Sequence, residues 1–180
     1  MPRSSTMEYT FTLKYQLADD DRDPDALVER LGEVGCDDAL VGIGQPGRLA
    51  LEFTREADSA DAAVRSALAD VRSAVPSARL IEVAPDLVGL TDVADIVGVS
   101  RQNMRKLMLA HPGSFPAPVH EGSASIWHLA DVLAWLQAKG SYALAKDVFD
   151  VARVALQVNV AKEGRRLPSS ASKGLEALVG

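Results

Sequence analysis

Between Tyr9 and Leu17 every second residue is apolar: Tyr9, Phe11, Leu13, Tyr15 and Leu17 alternate with Thr10, Thr12, Lys14 and Gln16. Only a strand has a side-chain period of two, so this stretch belongs to a sheet with one face in a core and the other in water. All three aromatic side chains of the stretch fall on the core face.

The residues that follow can be read against that strand. Asp23 and Pro24 are an N-cap and first-position pair, Leu27, Leu31 and Val34 recur at helical spacing, and Gly35 is a stop, which together predict a helix. Ala39 to Ile43 and Leu49 to Phe53 are short apolar runs around the turn residues Gly44 to Gly47, and predict a hairpin. Val64, Leu68, Val71 and Val75 predict a second helix, capped by Asp58 or Ser59 and ended by Pro76. Leu80, Ile81 and Val83 supply a last strand before Pro85. The order strand, helix, strand, strand, helix, strand is that of a ferredoxin-like βαββαβ sandwich, so residues 1–87 are expected to form an acidic domain of this kind. RNA-binding sheets of such order stack bases on open-face aromatics. Here the open face carries Thr10, Thr12, Lys14 and Gln16, so the domain is expected to serve dimerisation, ligand sensing or spacing instead.

Charge divides the chain. The net charge is -6. Residues 1–87 hold nine Lys and Arg against seventeen Asp and Glu, giving -8, whereas the rest holds ten against eight, giving +2. Between Gly98 and His120 stand Arg101, Arg105 and Lys106 and no acid. A basic patch on an acidic chain suits a small DNA-reading module attached to something else.

That patch sits in the run from Leu90 to Met108. Thr91 is read as the cap of a short helix, Gly98 as the left-handed residue of a tight turn and Ser100 as the cap of the next helix. Val93, Ala94, Val97, Val99, Met104 and Leu107 fall where two such helices touch. Arg101, Gln102, Arg105 and Lys106 face outward with Asn103 at their margin. Arg pairs bidentately with guanine, Gln and Asn with adenine, and Lys and the Ser100 cap hold phosphates. Phe115 to Trp127 then reads as a small hairpin, and His128 to Leu136 as an amphipathic helix ending near Gly140. The run from Leu90 to Leu136 resembles the winged helix-turn-helix of the AlpA and excisionase group, related to MerR. The resemblance covers about a quarter of the chain. It implies that residues 88–140 bind double-stranded DNA and that the hairpin is a wing with His120, Ser123 and Ser125 as contacts. Wings of this group commonly carry arginines, and this one has Glu121 in their place. Trp127 and Trp135 are read as core aromatics.

From Ser141 to Lys162 no Pro or Gly interrupts two apolar rows, Leu144, Val148, Val151, Ala155 and Val158 beside Ala145, Phe149, Ala152 and Leu156. Residues 141–163 are therefore expected to form a long helix covered either by the N-terminal domain or by a second copy. A homodimer is the favoured reading, because two recognition helices bind half-sites jointly. Residues 164–180 read as a flexible, solvated tail, with Arg165 and Arg166 as alternative phosphate contacts and Leu175, Leu178 and Val179 as alternative docking residues.

The architecture expected is thus α+β: a ferredoxin-like domain, a winged helix-turn-helix and a long C-terminal helix. No apolar run predicts a signal peptide or a membrane span, and a single cysteine, Cys36, agrees with a reducing cytoplasm. No phosphate-cradling loop, paired cysteines or metal-ligand spacing of His111, His120 and His128 is found, so neither enzyme nor cofactor is expected. The function expected is sequence-specific regulation of transcription. The alternative is an antitoxin or phage-type accessory protein whose acidic domain or tail holds a protein partner, and a third reading makes the N-terminal domain metabolite-responsive.

Overall fold

A computed structural model describes residues 6–140, 142–170 and 174–180. The chain is α+β, with two small antiparallel sheets and six α-helices among these residues. No helix among them is long and apolar enough to cross a membrane.

The first sheet holds β1 (Met7–Gln16), β2 (Ala39–Gly42), β3 (Arg48–Ala57) and β4 (Arg79–Ala84) in the order β2-β3-β1-β4. The alternation in β1 does what a period of two demands: Tyr9, Phe11, Leu13 and Tyr15 are buried, and Thr10, Lys14 and Gln16 are exposed. β3 extends past Phe53 to Ala57, because Thr54 to Ala57 go on pairing with Thr10 to Met7. Phe11 and Phe53 lie opposite each other with ring centroids 5.3 Å apart, a cross-strand pair at the middle of the core.

Helices α1 (Pro24–Glu33) and α2 (Ala60–Ala74) cover the apolar face. Asp23 caps α1 with Pro24 at its first position, and Ser59 rather than Asp58 caps α2. Gly35, at φ 96°, ends the first helical segment, and Cys36 is buried just beyond it. Arg55 then ties these pieces together. It is 8% exposed, and its guanidinium donates to both Asp38 oxygens at 2.7 and 3.0 Å, to Asp70 at 2.9 Å and to Ser66 at 3.1 Å. The Asp38 and Asp70 bonds outweigh the desolvation and keep the guanidinium charged.

The second sheet is β5 (Leu87–Val88), β6 (His120–Glu121) and β7 (Ser125–His128), in the order β5-β7-β6. Around it lie α3 (Leu90–Val97), α4 (Arg101–Ala110) and α5 (Leu129–Lys139), with Val93, Ala94, Met104, Trp127, Leu133 and Leu136 in a second core. Thr91 does not cap α3. The helix starts one residue before it, and the Asp92 carboxylate accepts the Gly89 N–H at 3.0 Å in place of a cap hydroxyl.

The last helix, α6 (Lys146–Gly164), is shorter at its start than its sequence suggests. Gly140 closes α5 in the left-handed region, and Leu144 packs on the second core from the connecting segment; the expected start at Ser141 lies outside the described residues. The packing of this helix lies within the chain. Val151, Val154 and Ala155 complete the first core, while Ala152 joins the second with Phe149 and Leu156 against it. Apart from the exposed Ala145, the residues of both apolar rows are buried or half-buried within the chain. Beyond α6 the described residues 165–170 and 174–180 are exposed and form only a 3-10 turn, Glu176–Leu178.

A buried polar joint fixes α6. The Asn159 carboxamide accepts from Val83 N and donates to Val83 O, both at 2.8 Å, and donates to Asp86 Oδ2 at 2.8 Å. Asp86 Oδ1 meets His128 Nδ1 at 2.6 Å, and the Asp86 carbonyl accepts from Leu129 N at 2.7 Å. β4 is an edge strand, so Asn159, together with Lys162 on the Ile81 carbonyl at 2.6 Å, occupies backbone groups that no strand pairs.

Two substitutions test these polar locks. Asn159→Leu leaves buried backbone and carboxylate groups without partners and is expected to cost about 2–4 kcal/mol in urea unfolding. Arg55→Leu leaves Asp38 and Asp70 facing each other without a cation, and a similar loss, about 2–4 kcal/mol, is expected. A loss below about 1 kcal/mol in either, within the range of an ordinary surface change, contradicts its role.

Candidate nucleic-acid interface

The site begins with a backbone constraint. Residues Gly98, Val99 and Ser100 turn the chain between α3 and α4, and Gly98 adopts φ 83° while its N–H reaches the Ala94 carbonyl at 2.9 Å. A side chain in that region is strained, which explains glycine here. Ser100 Oγ then accepts the Asn103 N–H at 3.1 Å, so the hydroxyl serves as the cap of α4.

Only one residue of α4, Met104, is fully buried, with Leu107 and Met108 half-buried beside it. This anchoring directs the other side outward. Arg101, Gln102, Asn103, Arg105 and Lys106 are all exposed, and none of their side chains has a hydrogen bond or ion pair among the described residues. Four arginines of the first half differ: Arg22, Arg30, Arg55 and Arg65 each engage an aspartate. The cations of α4 are therefore free to meet an external anion. Among the predicted contacts, Ser100 is exposed too, but its oxygen is already committed to Asn103.

The hairpin of β6 and β7 is the second part. Val119 N donates to Ile126 O at 2.7 Å and Gly122 N to Ala124 O at 3.2 Å, which closes the turn. His120 and Ser123 are exposed, and Ser125 is half-buried. A Cβ on Gly122 would lie 2.7 Å from His120 Nε2, so the imidazole lies over the turn. Glu121 is exposed in the same hairpin, and no cation accompanies it there. Of the helix and the hairpin, only α4 carries positive charge, and no hydrogen bond or ion pair joins the two among the described residues.

The loop between them is held by aromatics. Trp127 Nε1 donates to the Pro116 carbonyl at 2.9 Å, Trp135 Nε1 to Ser114 Oγ at 3.3 Å, and the Phe115 ring stands edge-on to both indoles. Trp127 is buried and Trp135 half-buried, so they position the loop and leave no face for a base.

Reading the sequence alone missed the His128, Asp86 and Asn159 joint, because a hydrogen bond between residues 42 or 73 positions apart leaves no local signal. Among the described residues no three His, Cys, Asp or Glu side chains gather as metal ligands. Burial, with Asp70 nearby, pushes the Cys36 thiol up to about 11, so it stays protonated at neutral pH and is a poor nucleophile. No protein family, curated protein or solved structure matches the chain.

The turn carries its own test. Gly98→Ala and Ser100→Ala are each expected to lower stability by about 1 kcal/mol, through left-handed strain and a lost cap. Midpoints from urea unfolding measure this, and wild-type stability in both variants excludes the stated geometry.

Proposed function

We propose that this chain is a sequence-specific double-stranded DNA-binding protein that regulates transcription, and that α4 enters the major groove. In this reading residues 88–140 are a winged helix-turn-helix of the AlpA and excisionase kind, and residues 1–87 are a ferredoxin-like domain. The observation that carries it is the outward face of α4, where Arg101, Gln102, Arg105 and Lys106 stand exposed and unpartnered in a chain of net charge -6. The three-residue turn around Gly98, the Ser100 cap and the hairpin ahead of α5 support the first assignment, and the order β2-β3-β1-β4 supports the second.

Arg101 and Arg105 are assigned to guanine edges, Gln102 and Asn103 to adenine, and Lys106 with the N-terminal turn of α4 to phosphate. His120, Ser123 and Ser125 make the weaker wing contacts, with Glu121 limiting their hold on the backbone. A helix with three cations reads few phosphates, so the protein acts as a homodimer on two half-sites about one helical turn apart. Its contact surface lies elsewhere than on the apolar rows of α6. The protein is assigned to the cytoplasm and to no catalytic role.

A second reading draws on the acidic first half. Glu8, Glu52 and Glu56 are exposed along the two central strands, a surface suited to a basic protein partner, as an antitoxin or phage-type accessory protein requires. Copurification of a stoichiometric basic partner would favour it.

Selection from a random duplex library, followed by footprinting, tests the main reading. A discrete footprint is expected, and Arg101→Ala or Arg105→Ala should each lose about 1–3 kcal/mol of specific binding. Unchanged binding in both variants overturns the recognition face.

A further inference from the structure

A second group of cations lies away from α4. The C-terminal ends of α2 and α6 converge on the start of β4 around a cleft of about 710 Å³. Arg72, Arg79, Lys162, Arg165 and Arg166 line it, and no acid does. Glu163 offers the neighbouring carboxylate, accepting from Lys162 at 2.9 Å and Arg166 at 3.2 Å. Those two bonds, Lys162's first, hold the Glu163 carboxyl below the usual range. Arg72, Arg79 and Arg165 are exposed and have no ion pair or side-chain hydrogen bond among the described residues.

Helix dipoles explain part of this. Arg72 and Lys162 fall in the last turns of α2 and α6, where a cation offsets the negative end of the helix. They do not explain Arg79, which opens a strand, or Arg166, which lies beyond the Arg165 cap of α6. Five cations around one cleft repel each other, and a multivalent anion relieves that repulsion.

The lining narrows the ligand. Leu68 and Leu80, both half-buried, add apolar surface to the cations, and the volume falls within the range of small-molecule sites, about 300–1,000 Å³. A DNA backbone offers phosphates for the cations but no apolar body for the leucines. A nucleotide offers both. We propose that this cleft binds a nucleoside polyphosphate, its base on Leu68 and Leu80 and its phosphates among Arg72, Arg79 and Arg165. The site is independent of the DNA reading, since it shares no residue with α4.

Fluorescence anisotropy of ribose-labelled ATP and GTP, titrated with the full chain, tests the proposal. Saturable binding of at least one is expected, displaced by the unlabelled nucleotide, less well by inorganic triphosphate, and not by the nucleoside. The double variant R72E/R79E, and separately R165E, should weaken binding about tenfold or more, whereas R101A/R105A should leave it unchanged. Melting curves of the variants establish that they fold, which their exposed positions lead one to expect. Absence of saturable binding by either nucleotide overturns the proposal. So does equal displacement by inorganic triphosphate, or an undiminished affinity in folded R72E/R79E and R165E. If those variants instead weaken duplex DNA binding alone, the cleft is a backbone contact and the nucleotide assignment fails, while the role of α4 stands or falls on R101A and R105A.

Discussion

The architecture turns on a single carboxamide. Asn159 has one acceptor and two N–H donors in a plane, and all of them are used: the Val83 N–H, the Val83 carbonyl and Asp86. A side chain thereby stands in for the missing neighbour strand at the edge of the first sheet. The same contact fixes the junction through which the chain passes into its second half, because Asp86 in turn holds His128 and the first N–H of α5. An apolar residue of similar size can fill the space, but it cannot fix the register of α6 along β4.

Electrostatics in this chain works by position more than by total. The first half carries many acids, yet its buried cation, Arg55, is surrounded by Asp38 and Asp70 so that charge is neutralised where water is excluded. In α4 the cations are left in water without local partners. A net charge summed over the whole chain obscures this, since a polyanion meets the field of the nearest surface within a Debye length of about 8–10 Å.

Much of the local structure could be read from the residues themselves. The alternation in β1, the Asp23 and Pro24 start of α1, the Ser59 cap of α2, and the Gly98 and Ser100 turn all depend on neighbours within four positions, and each stands as its pattern indicates. The start of α3 departs because two devices compete at that end. Thr91 is a good capping residue, but Asp92 reaches back to Gly89 and sets the helix two residues earlier. What failed to show was everything carried by distant pairs. The hydrophobic rows of α6 announce that something must cover them, yet periodicity carries no information about what. Asn159 in that helix reads as an ordinary polar residue until β4 is beside it, and Arg55 reads as a surface cation until Asp38 and Asp70 fold around it. The outward face of α4 was legible because exposure follows from Met104 being its buried anchor.

Sharing one helix between two cores has a further consequence. Val151, Val154 and Ala155 look one way along α6 and Ala152 the other, so each half of the molecule borrows its closing layer from the same piece of chain. Residues 6–140 hold both sheets and leave the closing layer of each to α6. Displacing this one helix therefore opens two seams at once, so the halves are closed as one event instead of in turn.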